Sequence, residues 1–182
     1  MLQIRDKVLQ TPALVERVAH AIAITRRLAP ADPTLVIVND RVDVAAAVGA
    51  DGGHTGADDL PTTLARRVLG PQLLVGRTAH TIAEARAAAA DGADYLGVGP
   101  CFPSSTKSFG EFAAAEFLRT VSREISLPAF AIGGVTLDRL DELAALGITR
   151  VAVAAAVTRA HDPAAAAAAI IARLKQLQNP LP

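Results

Sequence analysis

Tryptophan is absent from this 182-residue chain, and cysteine, methionine and tyrosine occur once each. With aromatics at 3%, there is no set of stacking platforms for single-stranded nucleic acid. A lone cysteine, Cys101, allows no internal disulfide and suits a reducing compartment. Neither charge sign is in excess: Lys+Arg and Asp+Glu are both 18, so no net field favours nucleic acid or an anionic membrane. No apolar run approaches membrane-spanning length, and the opening MLQIRDK has no signal-peptide apolar region. Hydrophobic residues at 51% against charged residues at 20% exclude a disordered chain. The expectation is one cytoplasmic domain, residues 1–182, with a sizeable core and neither nucleic-acid nor membrane partners.

What is present is alternation. Leu2–Arg5 reads as a strand, and Thr11-Pro12 as the cap and first-turn proline of a helix running to about Leu28. Leu35–Val38 is a short, branched apolar run, as in a buried strand. Val42–Val48 reads as a helix closed by Gly49, and Gly52–Thr55 as the next strand. A helix over Pro61–Leu69, a strand over Leu73–Gly76 and a capping box at Thr81–Glu84 follow. Tyr95–Val98 is a strand leading into the polar loop Gly99–Gly110, and a helix spans Ala113–Ile125. Pro128–Ile132 is a strand closed by Gly133-Gly134, with Thr136 capping the helix after it. Val151–Ala154 is a last strand, and Asp162-Pro163 opens an alanine-rich final helix.

About seven strand–helix alternations imply parallel strands with helical crossovers. Short units with polar strand ends favour a TIM (β/α)8-type barrel, which needs eight strands. The chain opens on a strand, so the expected architecture is a barrel lacking its first strand–helix unit. An open sheet would leave the edges at Leu2–Arg5 and Val151–Ala154 unpaired.

In such a barrel the carboxyl ends of the strands share the catalytic face. Asn39-Asp40 and Asp58-Asp59 each end a strand, so Asp40 and Asp59 either hold one divalent cation or cap the helices that follow. Arg5 and Lys7 alternate onto one side of an extended strand. Two cations beside two carboxylates suit a diphosphate–magnesium site better than acid–base chemistry. Ser104, Thr106 and Lys107 lie in a proline-stiffened polar loop, and Gly133-Gly134 precedes a helix amino terminus, both of which suit phosphate. The histidines lack metal-ligand spacing, and Cys101 reads as a small buried side chain.

Six strings together resemble the thiamine-phosphate synthase family: LQIRDK (2–7), VNDRVDVAAAVGADG (38–52), DDLP (58–61), VGRTAHTIAEA (75–85), GADYLGVGPCFPSSTK (92–107) and AIGGV (131–135). The resemblance implies a transferase joining a pyrimidine methyl diphosphate to a thiazole phosphate, with release of diphosphate. It also implies that Asp40 and Asp59 hold Mg²⁺, and that Arg5, Lys7, Asn39 and Lys107 bind the diphosphate, with Arg5, Lys7 and Lys107 catalytic. By the same resemblance Gln3 and Thr78 face the pyrimidine, and Ser104, Thr106 and Gly134 bind the thiazole phosphate. Ala154 and Ala155 also fall to the substrate, Ala155 through its backbone N–H where the family often has serine.

Two further departures stand out. The family's first strand and helix are missing, and its usual VHLGQ is Gly53-His-Thr-Gly-Ala57, which puts Gly53 and Thr55 at apolar core positions. The first fits either a shortened gene product or a fragment completed by another chain or as a homo-oligomer across exposed barrel edges. A related thiazole tautomerase has no diphosphate to bind, and a degenerate paralogue would bind phosphorylated ligands without turnover.

Overall fold

A computed structural model describes residues 1–103 and 112–178. They fall into two compact units, residues 1–78 with 88–95, and residues 79–87 with 96 onward. Both are α/β, with parallel strand pairing.

The first unit carries strands β1 (Leu2–Ile4), β2 (Val36–Asn39), β3 (Gly52–Thr55) and most of β4 (Leu74–Ala79). They pair in sequence order, each parallel to the next. Helices α1 (Thr11–Leu28), α2 (Val42–Val48) and α3 (Thr62–Leu69) are the crossovers. Strand alternation sends Val36, Val38 and Val75 to the helix side, where they pack with Leu14, Val18, Val42, Ala45, Ala65 and Leu69. Gly53 belongs to this layer: a Cβ there would stand 2.7 Å from Val42 Cγ1, so the missing side chain lets α2 sit close. Thr55 is fully buried, and its hydroxyl accepts a hydrogen bond from Arg77. The two unusual β3 residues are thus accommodated.

One device anchors two strands. In Gly49-Ala50-Asp51 and again in Gly92-Ala93-Asp94, the alanine N–H closes the preceding helix and the aspartate carboxylate accepts a strand N–H. The partners are Val36 and Val75, both at 2.7 Å. Arg66 on α3 pairs with Asp94 and donates to the carbonyls of Gly70, Leu73 and Gly92.

Strand β5 (Tyr95–Val98) enters the second unit at Leu96, and its Leu96–Val98 stretch pairs there with β6 (Ala129–Ala131), again in parallel. Helix α4 (Ile82–Ala90) starts on the expected capping box: Thr81 Oγ1 accepts the Glu84 N–H, and Glu84 accepts that of His80. Helix α5 (Ala115–Glu124) buries Leu118 and Val121. A 3-10 turn at Leu137–Arg139 leads into α6 (Leu140–Ala145), and α7 (Ala155–Thr158) and α8 (Pro163–Gln178) follow.

Four local expectations need correction. Val151–Ala154 is not a strand: Val151 makes a single parallel bridge to Ala131, and by Ala154 the chain is already turning into α7. Thr136 does not cap a helix with its side chain, because a 3-10 turn intervenes. Thr11 is inside α1 rather than its cap, and its hydroxyl accepts from Arg41. Lys7 lies beyond β1, which ends at Ile4; Asp6 folds the segment by accepting the N–H groups of Val8 and Leu9.

Because Arg66 ties together three carbonyls and Asp94, Arg66→Ala should destabilise the chain by about 2 kcal/mol, after allowance for partial solvent exposure. Urea denaturation of the two proteins measures this, and an unchanged midpoint would refute the brace.

Candidate active site

Parallel pairing places the carboxyl ends of β1 to β4 along one edge of the first unit. Arg5 follows β1, Asn39 ends β2, Asp59 lies in the turn after β3, and Thr78 is near the end of β4. Lys7, carried past β1 by the Asp6 turn, reaches across to β2: its Nζ lies 2.7 Å from Asp40 Oδ2. Gln3 is in β1, in register with Ile37.

Asp40 sits on an unusual piece of backbone. Its φ is +64°, the only positive value at a non-glycine residue among those described. The Arg41 N–H bonds back to the Asn39 carbonyl around it, and its own N–H donates to the His54 carbonyl of β3. A tight left-handed turn with a side chain is strained, and such strain concentrates at functional positions.

Neither aspartate caps a helix. The cap positions of α2 and α3 are Arg41 and Pro61, with no side-chain bond at either. Asp59 Oδ2 instead accepts the Gly56 N–H at 2.7 Å, inside its own turn. The two carboxyls are close enough to perturb one another. Burial, and then the neighbouring Asp59, push Asp40 above the ordinary carboxylate range against the pull of Lys7. Burial also works to raise Asp59, but the contact with Asp40, the Gly56 N–H and the charges of Lys7 and Arg77 outweigh it and hold it low. Two adjacent carboxylates in this setting favour an added cation.

Their chemistry fits Mg²⁺. Magnesium is commonly held by one or two carboxylates, with water and substrate phosphates filling the other positions. No group of three or more His, Cys, Asp or Glu residues arranged for a metal occurs among the described residues, so a full protein cage is not available there.

Beside the aspartates lies a buried histidine. His54 Nε2 is 2.9 Å from Thr78 Oγ1 and Nδ1 is 3.2 Å from the Tyr95 hydroxyl. Burial first, and then the Arg77 charge, lower its pKa to about 4. At neutral pH it is therefore a neutral imidazole, with one donor and one acceptor for the two hydroxyls.

In the second unit, Gly134 has φ +64°, and a Cβ there would come within 2.3 Å of the Pro103 carbonyl oxygen. Backbone crowding by itself therefore demands glycine at this position. Ala154 and Ala155 stand at the start of α7. Ser104, Thr106 and Lys107 lie outside the described residues. His80 is structural, as its ring contacts the Gly99 carbonyl and its N–H donates to Glu84. Cys101 is buried, which pushes its thiol up to about 11.

Sequence reasoning passed over Arg77, which donates to Thr55, Leu60 and Ala57, and Asp6, which orders the Lys7 turn. A lone arginine within the strand string LVGRTA was the available signal for the first.

The pattern of the thiamine monophosphate synthase family matches residues 1–157. The chain is 44% identical to the thiamine biosynthesis bifunctional protein ThiM/ThiE of Symbiobacterium thermophilum, over 98% of this chain and 37% of that protein. It is 41% identical to thiamine-phosphate synthase of Gloeobacter violaceus, over 97% of this chain and 50% of that protein. The solved thiamine phosphate pyrophosphorylase of Pyrococcus furiosus superposes with a TM-score of 0.84 at 33% identity, covering 96% of this chain and 82% of that one. The fold is therefore that of an α/β protein of this barrel-related class, and this chain is a member of the thiamine monophosphate synthase family. It spans 37% and 50% of the lengths of the two curated relatives named.

Two measurements test this geometry. Because Asp40 is left-handed, Asp40→Gly should be at least as stable as Asp40→Ala, by up to about 1 kcal/mol, the reverse of the order in ordinary strand or helix. Chemical denaturation of both variants decides it. For His54, the native pKa is about 4 against an ordinary 6.5, so its contribution is complete above pH 6.5 and lost as pH falls toward 4. Stability should drop by roughly 2 kcal/mol from this residue between pH 7 and 5. Denaturation curves at both pH values should show a shallower dependence in His54→Gln.

Proposed function

We propose that this chain is a thiamine-phosphate synthase acting in the cytosol as one barrel-type domain over residues 1–182. It transfers a pyrimidine methyl group from diphosphate to the nitrogen of a thiazole phosphate, with Mg²⁺ as cofactor. The observation that carries the reading is the Lys7–Asp40–Asp59 cluster at the ends of β2 and β3, in a chain of this family.

The roles follow from charge. The bond between the pyrimidine methylene and the diphosphate oxygen breaks, and its electron pair leaves with the diphosphate. The thiazole nitrogen lone pair then forms the new C–N bond, so no proton transfer is required. The work is to stabilise negative charge on a leaving group, which preorganised cations do well in a low-dielectric site. Mg²⁺, held by Asp40 and Asp59, would supply Lewis-acid neutralisation of the phosphate oxygens. Lys7 is positioned by Asp40 for the same oxygens, and Arg5 on the same edge adds a second fixed charge. Asn39 and Lys107 complete the diphosphate site. Gln3 and Thr78 orient the pyrimidine, and Ser104, Thr106, Gly134 and the Ala154–Ala155 backbone take the thiazole phosphate.

A diphosphate-release assay with both substrates and Mg²⁺ tests the proposal. Release should require all three components and fall at least about 10²-fold in Asp40→Asn, which keeps the turn but removes the charge. A folded wild-type chain that binds the substrates without releasing diphosphate would overturn the synthase reading in favour of a non-catalytic phosphate binder.

A further inference from the structure

Arg77 and Thr55 are paired in register across β3 and β4, on the helix side of the sheet. Thr55 is fully buried, so its hydroxyl needs a partner, and Arg77 Nη1 supplies one at 3.2 Å. The same Nη1 lies 3.2 Å from the Leu60 carbonyl oxygen, and Nη2 lies 3.5 Å from that of Ala57. The guanidinium therefore grips the β3–α3 turn at its root and at both flanks of Asp59. The turn's other ties are the reciprocal bonds between Gly56 and Asp59. Thr55 stands where the family carries an apolar residue, so the hydroxyl is a polar group placed in a core position. Anchoring the guanidinium gives that placement a purpose.

We infer that Thr55 and Arg77 form a clamp that fixes the Gly56–Leu60 turn and so presents Asp59 opposite Asp40, making Arg77 a positioning residue for the cation site. This rests on the reading of Asp40 and Asp59 as a Mg²⁺ site. Position and charge pull in opposite directions here. A guanidinium acting only as a nearby positive charge would weaken cation binding, and its removal would tighten it. A clamp has the reverse signature: its removal loosens Asp59 and weakens binding.

The test is a Mg²⁺ titration in the presence of inorganic diphosphate, followed by thermal stabilisation and by calorimetry. Arg77→Met should raise the half-saturating Mg²⁺ concentration about tenfold, the usual scale for losing a residue that orients a metal ligand. Thr55→Val, similar in shape and free of a buried hydroxyl, should raise it by a few-fold without lowering the unliganded melting temperature. It decides the matter alone if Arg77→Met does not fold. Unchanged or tighter Mg²⁺ binding in the variants, with a wild-type response that is lost in Asp40→Asn, would overturn the clamp and leave the cation site standing. Absence of any wild-type response would overturn both.

Discussion

Two carboxylates brought together at the ends of neighbouring parallel strands set the terms for everything around them. Asp40 and Asp59 repel when both are ionised, and partial burial strengthens the repulsion. The surroundings answer it in three ways. Lys7 ion-pairs with Asp40, the Gly56 N–H bonds to Asp59, and Asp40 accepts a left-handed backbone to reach its place. The last two are each local to one strand end, while the ion pair already spans the ends of β1 and β2. Only strand pairing makes them a single cluster.

The sheet below is built to keep those strand ends aligned. Parallel pairing from β1 to β4 fixes the register in which Asn39 meets His54 and Thr55 meets Arg77. At the other end, Asp51 and Asp94 each tie a loop to the start of an earlier strand. Between the two ends lies a layer of small and branched residues, with Val36, Val38 and Val75 against α1 to α3. Gly53 lets α2 approach, and Thr55 feeds the Arg77 network. The residues that depart most from the family's pattern are thus absorbed by direct contacts around them.

Much of this was legible in the chain itself. Alternating strand and helix patterns gave the α/β class and most element limits, because hydrophobic periodicity and capping are local. Thr81 and Glu84 form their capping box for that reason. The same locality misled at Thr136 and Val151–Ala154, where neighbours rather than propensity decide what forms. At Lys7 the expected reach to the carboxylates is present, but through the Asp6 turn and not through an extended strand.

The sequence by itself determined the family, the polar strand ends and the identity of Asp40 and Asp59 as candidate ligands, because these reside in short strings of adjacent residues. That those aspartates do not cap the helices, and that they lie beside one another, was decided by the tertiary structure. Both depend on the spacing between side chains 19 positions apart, and on where each carboxylate finds its hydrogen bonds. The depressed basicity of His54 and the grip of Arg77 on the Asp59 turn belong to the same class. Burial and cross-strand register cause both: the linear pattern carries no signature of the first, and for the second only a lone arginine in a strand string.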